Sequence, residues 1–334
     1  MSRIAVLGGG TSPEHDVSLR SAAAVADALR AAGHDPVGVT IGRDGIWTDG
    51  GGPLGRTPAA SLAAGVGLLA GCDVVFPVLH GAPGEDGAIA ALADLAALPV
   101  VGCPALGGAI AMDKHATKAV AAALGIGVAD GVVLLPGDPV PPFTGPVVVK
   151  PTTAGSSFGV SVVRDPAALA PAVALARTAG GTVLVESYVR GREVQLAVVE
   201  RRDGALTVPP PIEYGVAEGA VFDTSRKYDG TAVVRFPARV DEPVLAALRD
   251  AATRLFRALG CGGLSRFDFF VADDGFVLNE VNTMPGMTPQ SGFPRMCRAG
   301  GLDLPDLVDE LVAVALLSGR RGPVGSRAAA PAPA

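Results

Sequence analysis

Residues 264–282 read LSRFDFFVADDGFVLNEVN. Apolar and polar residues alternate on both sides of Asp273-Asp274-Gly275, a turn signal, so the stretch predicts a β-hairpin. With those three residues as the loop, Ala272 faces Phe276. Counting outward places Asp268 opposite Glu280 and Arg266 opposite Asn282, and all four side chains share one face of a sheet. Two carboxylates directly opposite each other repel. Either they form a solvated acidic pair, or a divalent cation neutralises them with Asn282 as a neutral oxygen ligand. An all-oxygen set suits Mg²⁺ or Mn²⁺, and Mg²⁺ held by few protein ligands usually bridges to phosphates.

A second stretch supplies a place for phosphates. Residues 146–163, PVVVKPTTAGSSFGVSVV, read as strand, small-residue loop, strand. Lys150 ends the first strand, and Gly155, Ser156, Ser157 and Gly159 make the loop. Small residues let backbone N–H groups approach a phosphate, and the hydroxyls add donors; an ordinary hairpin loop is the alternative. The P-loop pattern G-x-x-x-x-G-K-[ST] is absent. Near the N-terminus, the apolar run 4–7 ends in Gly8-Gly9-Gly10, but Pro13 breaks the G-x-G-x-x-G spacing of a dinucleotide site. Glu186 and Glu193 flank VESYVRGRE (185–193), where they could accept from an adenine amino group or ribose hydroxyls, or be surface charges. Glu14, in GGTSPEHDVSLRS (9–21), precedes a helix; it could fix an ammonium or simply complement the helix dipole.

The remaining segments fill in an α/β chain. A helical stripe from Ser18 to Ala32, a strand from Pro36 to Ile41, an apolar run from Cys72 to Leu79 and a helix near 88–97 alternate as in a parallel sheet. Residues 104–128 read as helix, 182–199 as strands around Gly191, 209–235 as a long loop, 241–259 as helix and 302–317 as a closing helix. The last stretch reads as a disordered tail.

Composition sets outer limits. The chain has 334 residues, 27 Lys+Arg and 33 Asp+Glu, a net charge of −6, 49% hydrophobic and 18% charged residues. That leaves room for two or three domains and argues against wholesale disorder and general nucleic-acid binding. The N-terminus lacks the regions of a signal peptide, and the longest apolar run, 95–112, is broken by prolines and glycines; a cytoplasmic protein without a membrane span is expected. Cys72, Cys103, Cys261 and Cys297 are widely spaced, as in reduced thiols. Only four of the 27 basic residues are lysines: Lys114, Lys118, Lys150 and Lys227. Either the few lysines are random survivors of a coding bias toward Arg, or, since Arg and Lys are not interchangeable, some mark positions where a compact charge is needed. Lys118, one turn past Lys114, reads as a solvated face.

Taken together, these motifs resemble the D-alanine–D-alanine ligase family of the ATP-grasp superfamily. The stretches that carry the resemblance are GGTSPEHDVSLRS, FPVLHGAPGEDGAIAAL, MDKHATK, VVVKPTTAGSSFGVS, VESYVRGRE, RKY and LGCGGLSRFDFF…VLNEVNTMPGMTPQS, in family order from residue 4 to about 317. The resemblance implies three α/β domains. An N-terminal parallel-sheet domain would span 1–102 and bind substrate. Central and C-terminal α+β domains, 103–180 and 181–318, would clamp ATP, with 319–334 as the tail. It implies that ATP phosphorylates one D-alanine carboxylate and that a second D-alanine displaces the phosphate, for peptidoglycan synthesis. By motif, Glu14 would hold the first ammonium, with His80 lining the same subsite. Lys114, Lys150 and Lys227 would contact phosphates, and Ser157, Glu186, Val189 and Glu193 would complete the nucleotide site. Asp268, Glu280 and Asn282 would hold Mg²⁺ or Mn²⁺, two ions in all. Arg266 and the Gly286 N–H would face the oxyanion, Ser291 the second carboxylate, and Ser156 and Tyr228 would close the site with Glu14. Members are usually homodimers, although no dimer surface is legible.

Two places depart from the family. Its loop close to Y-D-Y-E-A-K-Y reads here Phe222-Asp223-Thr224-Ser225-Arg226-Lys227-Tyr228. After Ser291, where many members carry Leu or Met, this chain has Gly292, which implies a roomier second subsite. These departures motivate an alternative, a paralogue that joins other D-amino acids. A non-catalytic nucleotide-binding module is a third reading, against which Lys150, Arg266, Asp268, Glu280 and Asn282 stand.

Overall fold

The computed structural model describes residues 1–215, 233–273 and 275–320. Strand β1 (Arg3–Gly9) pairs in parallel with β2 (Asp35–Ile41) and with β5 (Val74–Pro77), as the alternation predicts. Strands β3 (Trp47–Asp49) and β4 (Gly52–Pro53) extend this sheet antiparallel beyond β2. Helix α1 (His15–Ala31) packs tightly on it: a β-carbon on Gly8 would lie 2.7 Å from Ala22 Cβ. This close approach brings the start of α1, with Glu14 just before it, to the C-terminal end of β1. Helices α2 (Pro58–Leu69) and α3 (Ala88–Leu95) complete the unit.

The segment 104–128 is two helices rather than one. Helix α4 (Ala105–Met112) stops before Asp113, whose Oδ1 accepts from His115 N and Ala116 N at 2.8 and 3.0 Å and so caps α5 (Lys114–Ala123). A second, antiparallel sheet follows in the order β6 (Gly131–Leu134), β9 (Val183–Ser187), β7 (Val147–Pro151), β8 (Ser161–Val163), backed by α6 (Leu169–Gly180). Since β9 pairs with both β6 and β7, this sheet runs past the boundary expected near residue 181.

The third sheet holds the hairpin. Its order is β13 (Val233–Arg235), β12 (Ile212–Gly215), β10 (Arg192–Glu200), β14 (Leu264–Ala272), β15 (Gly275–Asn282), with β11 (Leu206–Thr207) beside β10. Two of these strands lie in 209–235, where a loop was expected. Phe267 and Phe269 are fully buried and pack with Leu248, Leu255 and Phe256 of α7 (Glu242–Ala258). Each such side chain contributes about 1.5–3 kcal/mol by leaving water. That burial fixes the face on which Arg266 and Asp268 emerge. Helices α4 and α5 pack on β15, so they belong with this sheet. Helices α8 (Gly292–Ala299) and α9 (Leu304–Arg320) join the first and third sheets through a shared core that includes Val25, Phe76, Phe293 and Leu311. Helix α9 runs on through Gly319 and Arg320, where the tail was expected to begin; 321–334 lie outside the described residues. Among the described residues no helix is long and apolar enough to cross a membrane.

Candidate active site

The hairpin register holds where the chemistry needs it. Arg266 pairs with Asn282 and Asp268 with Glu280. The turn differs from expectation: Ala272 pairs with Gly275, not Phe276. A β-bulge then takes up one residue, because Phe269 pairs with Leu278 while Asp268 pairs with Glu280. Asn279 is the extra residue, and its Oδ1 accepts from Lys150 Nζ at 3.2 Å. The bulge therefore restores the carboxylate pair and also aims an acceptor at the other sheet.

The carboxylates are not left to repel each other. Arg266 donates from Nε to Asp268 Oδ1 at 2.7 Å and from one terminal nitrogen to Oδ2 at 2.8 Å. Gln195 and Asn282 approach the same Oδ2, each at 3.4 Å. Burial pushes the Asp268 carboxyl upward, with Arg266 pulling against it; Asp268 in turn holds the Arg266 guanidinium charged, against the opposing effect of burial. Lys114 Nζ lies 3.4 Å from Glu280 Oε2 and donates to Ala154 O at 2.8 Å. Among the described residues no three His, Cys, Asp or Glu side chains converge as an ion site. The expected set is two carboxylates and an amide on one face, and its donors are all hard oxygens. These fit a small divalent cation, with lone pairs beyond those that Arg266 takes.

A cleft of about 130 Å³ opens between the second and third sheets. Lys114, Lys150, Ser157, Glu186, Val189 and Glu193 all line it, together with Glu280. Lys150 and Glu186 are cross-strand diagonal neighbours on β7 and β9, and Lys150 Nζ forms a close ion pair with Glu186 Oε1. Lys118 Nζ stands 2.7 Å from Oε2. Oε2 is fully buried and faces that ammonium. Burial raises the Glu186 carboxyl, but Lys150 and Lys118 outweigh it and hold it below its usual range. Burial likewise lowers Lys150, further than Glu186 restores it. Lys118 is thus no solvated residue, contrary to the sequence reading. Glu193 Oε1 accepts from Gln195 Nε2 at 2.7 Å.

A second set of residues meets above the hairpin. A β-carbon on Gly155 would lie 2.7 Å from Glu14 Oε2, so the small-residue loop closes directly on Glu14. Ser156 and Ser157 follow at φ of +48° and +52°, a conformation that holds this loop in a tight curl. His80 Nδ1 donates to Met284 O at 2.8 Å, and its Nε2 pairs with Ser21 Oγ at 3.3 Å. Both ring nitrogens are therefore engaged, and His80 ties α1 to the segment after β15. Glu85, which motif reading passed over, accepts from Gly81 N at 2.9 Å and from Thr283 N and Met284 N at 3.1 and 3.3 Å. It docks the first unit onto the segment just after β15. Ser291 precedes α8, and its Oγ would stand 3.0 Å from a β-carbon on Gly286. A side chain at position 286 would require the Ser291 hydroxyl to give way by a few tenths of an ångström. Lys227 and Tyr228, with the rest of the 222–228 loop, lie outside the described residues.

The family is decided by comparison with known proteins. A model described as D-ala D-ala ligase N-terminus matches residues 3–103, and one described as D-ala D-ala ligase C-terminus matches 140–313. The chain belongs to the D-alanine–D-alanine ligase family. It is 41% identical to the D-alanine–D-alanine ligase of Mycolicibacterium smegmatis, across 95% of this chain and 96% of that one. Among solved structures it is similar to the D-alanine-D-alanine ligase from Coxiella burnetii. That match has a TM-score of 0.79, 29% identity, and covers 95% of this chain and 94% of that one. It is similar also to the VanG D-Ala:D-Ser ligase from Enterococcus faecalis, with TM-score 0.78, 30% identity, and 94% and 99% covered. In this family member, Lys114, Lys150, Ser157, Glu186, Val189, Glu193 and Glu280 line one cleft, and Glu14 meets the loop that carries Ser157.

Proposed function

We propose that this chain joins two D-alanines in an ATP-dependent reaction, for peptidoglycan precursor synthesis in the cytoplasm. The observation that carries the reading is the convergence of Lys114, Lys150, Glu186 and Glu280 on one cleft beside the Arg266–Asp268 pair. ATP lies in that cleft. Glu186 and Glu193 accept from the base and the ribose, Val189 and Ser157 line them, and Lys114 and Lys150 face the phosphates, a role that the family motif gives also to Lys227. Asp268, Glu280 and Asn282 hold Mg²⁺ or Mn²⁺, which neutralises phosphate charge when bound.

The first D-alanine sits against Glu14 with its ammonium on that carboxylate and His80 behind it. Its carboxylate oxygen attacks the γ-phosphorus of ATP, ADP leaves, and an acyl phosphate forms. Ser291 holds the carboxylate of the second D-alanine. That molecule's amine, having lost a proton, attacks the acyl carbon; the amide bond forms and inorganic phosphate departs. Arg266 spends its Nε and one terminal nitrogen on Asp268, which leaves the N–H groups of its other terminal nitrogen for the developing oxyanion, with the Gly286 N–H beside it. Glu14 and Ser156 close the site, a role that the family motif gives also to Tyr228. The chemistry is positioning and charge neutralisation, as phosphoryl transfer requires. The domain boundaries we propose fall near residue 103, between α5 and β6, and between Ser187 and Arg192, with α4 and α5 joining the C-terminal domain; a homodimer is the assembly expected from the family.

Phosphate release with D-alanine, ATP and Mg²⁺ tests the reading. Release that depends on D-alanine supports it. Release only with other D-amino acids shows a paralogue with a different substrate, and no release with any of them shows a binding module.

A further inference from the structure

Lys118 has no part in the proposal above. It is 6% exposed, and it is absent from the lining of the cleft, whereas Glu186 and Lys150 are part of that lining. Its ammonium contacts Glu186 Oε2 at 2.7 Å and donates to Leu278 O at 3.3 Å. Leu278 lies on β15 and Glu186 on β9, so one side chain spans the third and second sheets. It comes from α5, which packs on the third sheet, and reaches across to the second. Lys150 reaches back the other way, from β7 to Asn279. The Glu186 carboxylate is the shared anchor between two ammonium groups. Lys118, Lys150 and Glu186 are all buried, so the contacts among them are made away from solvent.

We infer that Lys118 is a positioning residue for the nucleotide: it locks the Glu186 carboxylate, and through it the Lys150 ammonium, in register with the opposite wall of the cleft. The inference rests on the cleft being the ATP site. Truncating one member of a buried ion pair leaves the others undercompensated. In Lys118→Met, Glu186 is held from one side only, and the two walls lose one of their cross-links.

The test compares wild type, Lys118→Met and Lys118→Arg by ATP-induced thermal shift and by steady-state kinetics with ATP and D-alanine varied separately. Lys118→Met is expected to raise the KM for ATP about 10- to 100-fold, the range for groups that orient a ligand-holding side chain. Its ATP-induced shift falls in parallel, the KM for D-alanine stays within about twofold, and Lys118→Arg recovers part of the loss. Wild-type ATP affinity in a folded Lys118→Met protein overturns the inference. So does a parallel rise of both KM values, which marks a merely structural role. Should Lys118→Met fail to fold, Lys118→Gln, which removes the charge and keeps a donor, must show the same ATP-selective loss, and wild-type ATP affinity in it overturns the inference. Wild type without an ATP-induced shift overturns the nucleotide reading itself. Wild type that binds ATP but does not respond to D-alanine overturns only the substrate reading, and the thermal shifts still decide on Lys118.

Discussion

The Tyr214 hydroxyl stands 3.1 Å from the point where a β-carbon on Gly292 would lie, with Gln195 Oε1 at 3.6 Å from the same point. Tyr214 pairs across strands with Glu193, and Gln195 with Asp268, so both rise from the face that carries the carboxylates. The opening expected from a glycine after Ser291 is therefore filled from β12. Wild type is expected to prefer D-alanine as second substrate. In Tyr214→Ala, competition between D-alanine and a bulkier D-amino acid should shift toward the bulkier one by about 10- to 200-fold. Product ratios read by mass spectrometry check this, and an unshifted ratio in an active variant contradicts it. Gly292→Leu alone should collide with the hydroxyl and lower the melting temperature.

Gly155→Ala places a methyl group 2.7 Å from Glu14 Oε2. The carboxylate end is free to swing away, so the fold should survive while the first ammonium loses its partner. We expect the KM for D-alanine to rise and the KM for ATP to hold. Initial rates with each substrate varied in turn measure the split.

Arg266→Ala removes the donor we propose for the oxyanion and leaves Asp268 fully buried without its guanidinium. Removing one such donor lowers kcat by about 10²- to 10³-fold. A melting curve should show destabilisation as well, since an uncompensated charge remains.

The lysine and glutamate of the cleft predict two pH effects of opposite sign. Glu186 is held below its usual range, so its stabilising contribution is complete at neutral pH. It is lost as pH falls through the ordinary carboxylate region and below. Glu186→Gln should flatten that acid limb in thermal melts. Lys150, facing Glu186, Lys118 and Glu280, has its ammonium lowered by burial. It sheds its proton at a lower pH than an ordinary lysine, and kcat/KM for ATP should fall correspondingly early on the alkaline side. Lys150→Arg should lose most activity because the larger planar head does not fit, and its residual activity should lack that limb.

Much of this site could be read before the fold was known, for physical reasons that differ by residue. Asp268, Glu280, Arg266 and Asn282 were legible because strand alternation assigns faces. The inferred turn was one residue off, and the bulge at Asn279 cancelled the error. A bulge leaves no clear mark in sequence, so the acceptor that Asn279 offers Lys150 was not foreseen. Lys118 carried a usable signal: four residues after Lys114, it shares that residue's helix face, and α5 buries this face on β15. Glu213, buried and held by Arg192 and Arg235, was hidden in a proline-rich stretch that read as loop. The Tyr214–Gly292 contact joins residues far apart in the chain, and local pattern says nothing about it.

The most direct measurement follows oxygen from substrate to phosphate. D-alanine labelled with ¹⁸O in its carboxylate is incubated with the protein, ATP and Mg²⁺, and the released phosphate and the dipeptide are analysed by mass spectrometry. Attack of that carboxylate on ATP predicts one ¹⁸O in each phosphate released, matched by one D-alanyl-D-alanine formed. Unlabelled phosphate, or phosphate without dipeptide, would contradict the acyl-phosphate route at the centre of this account.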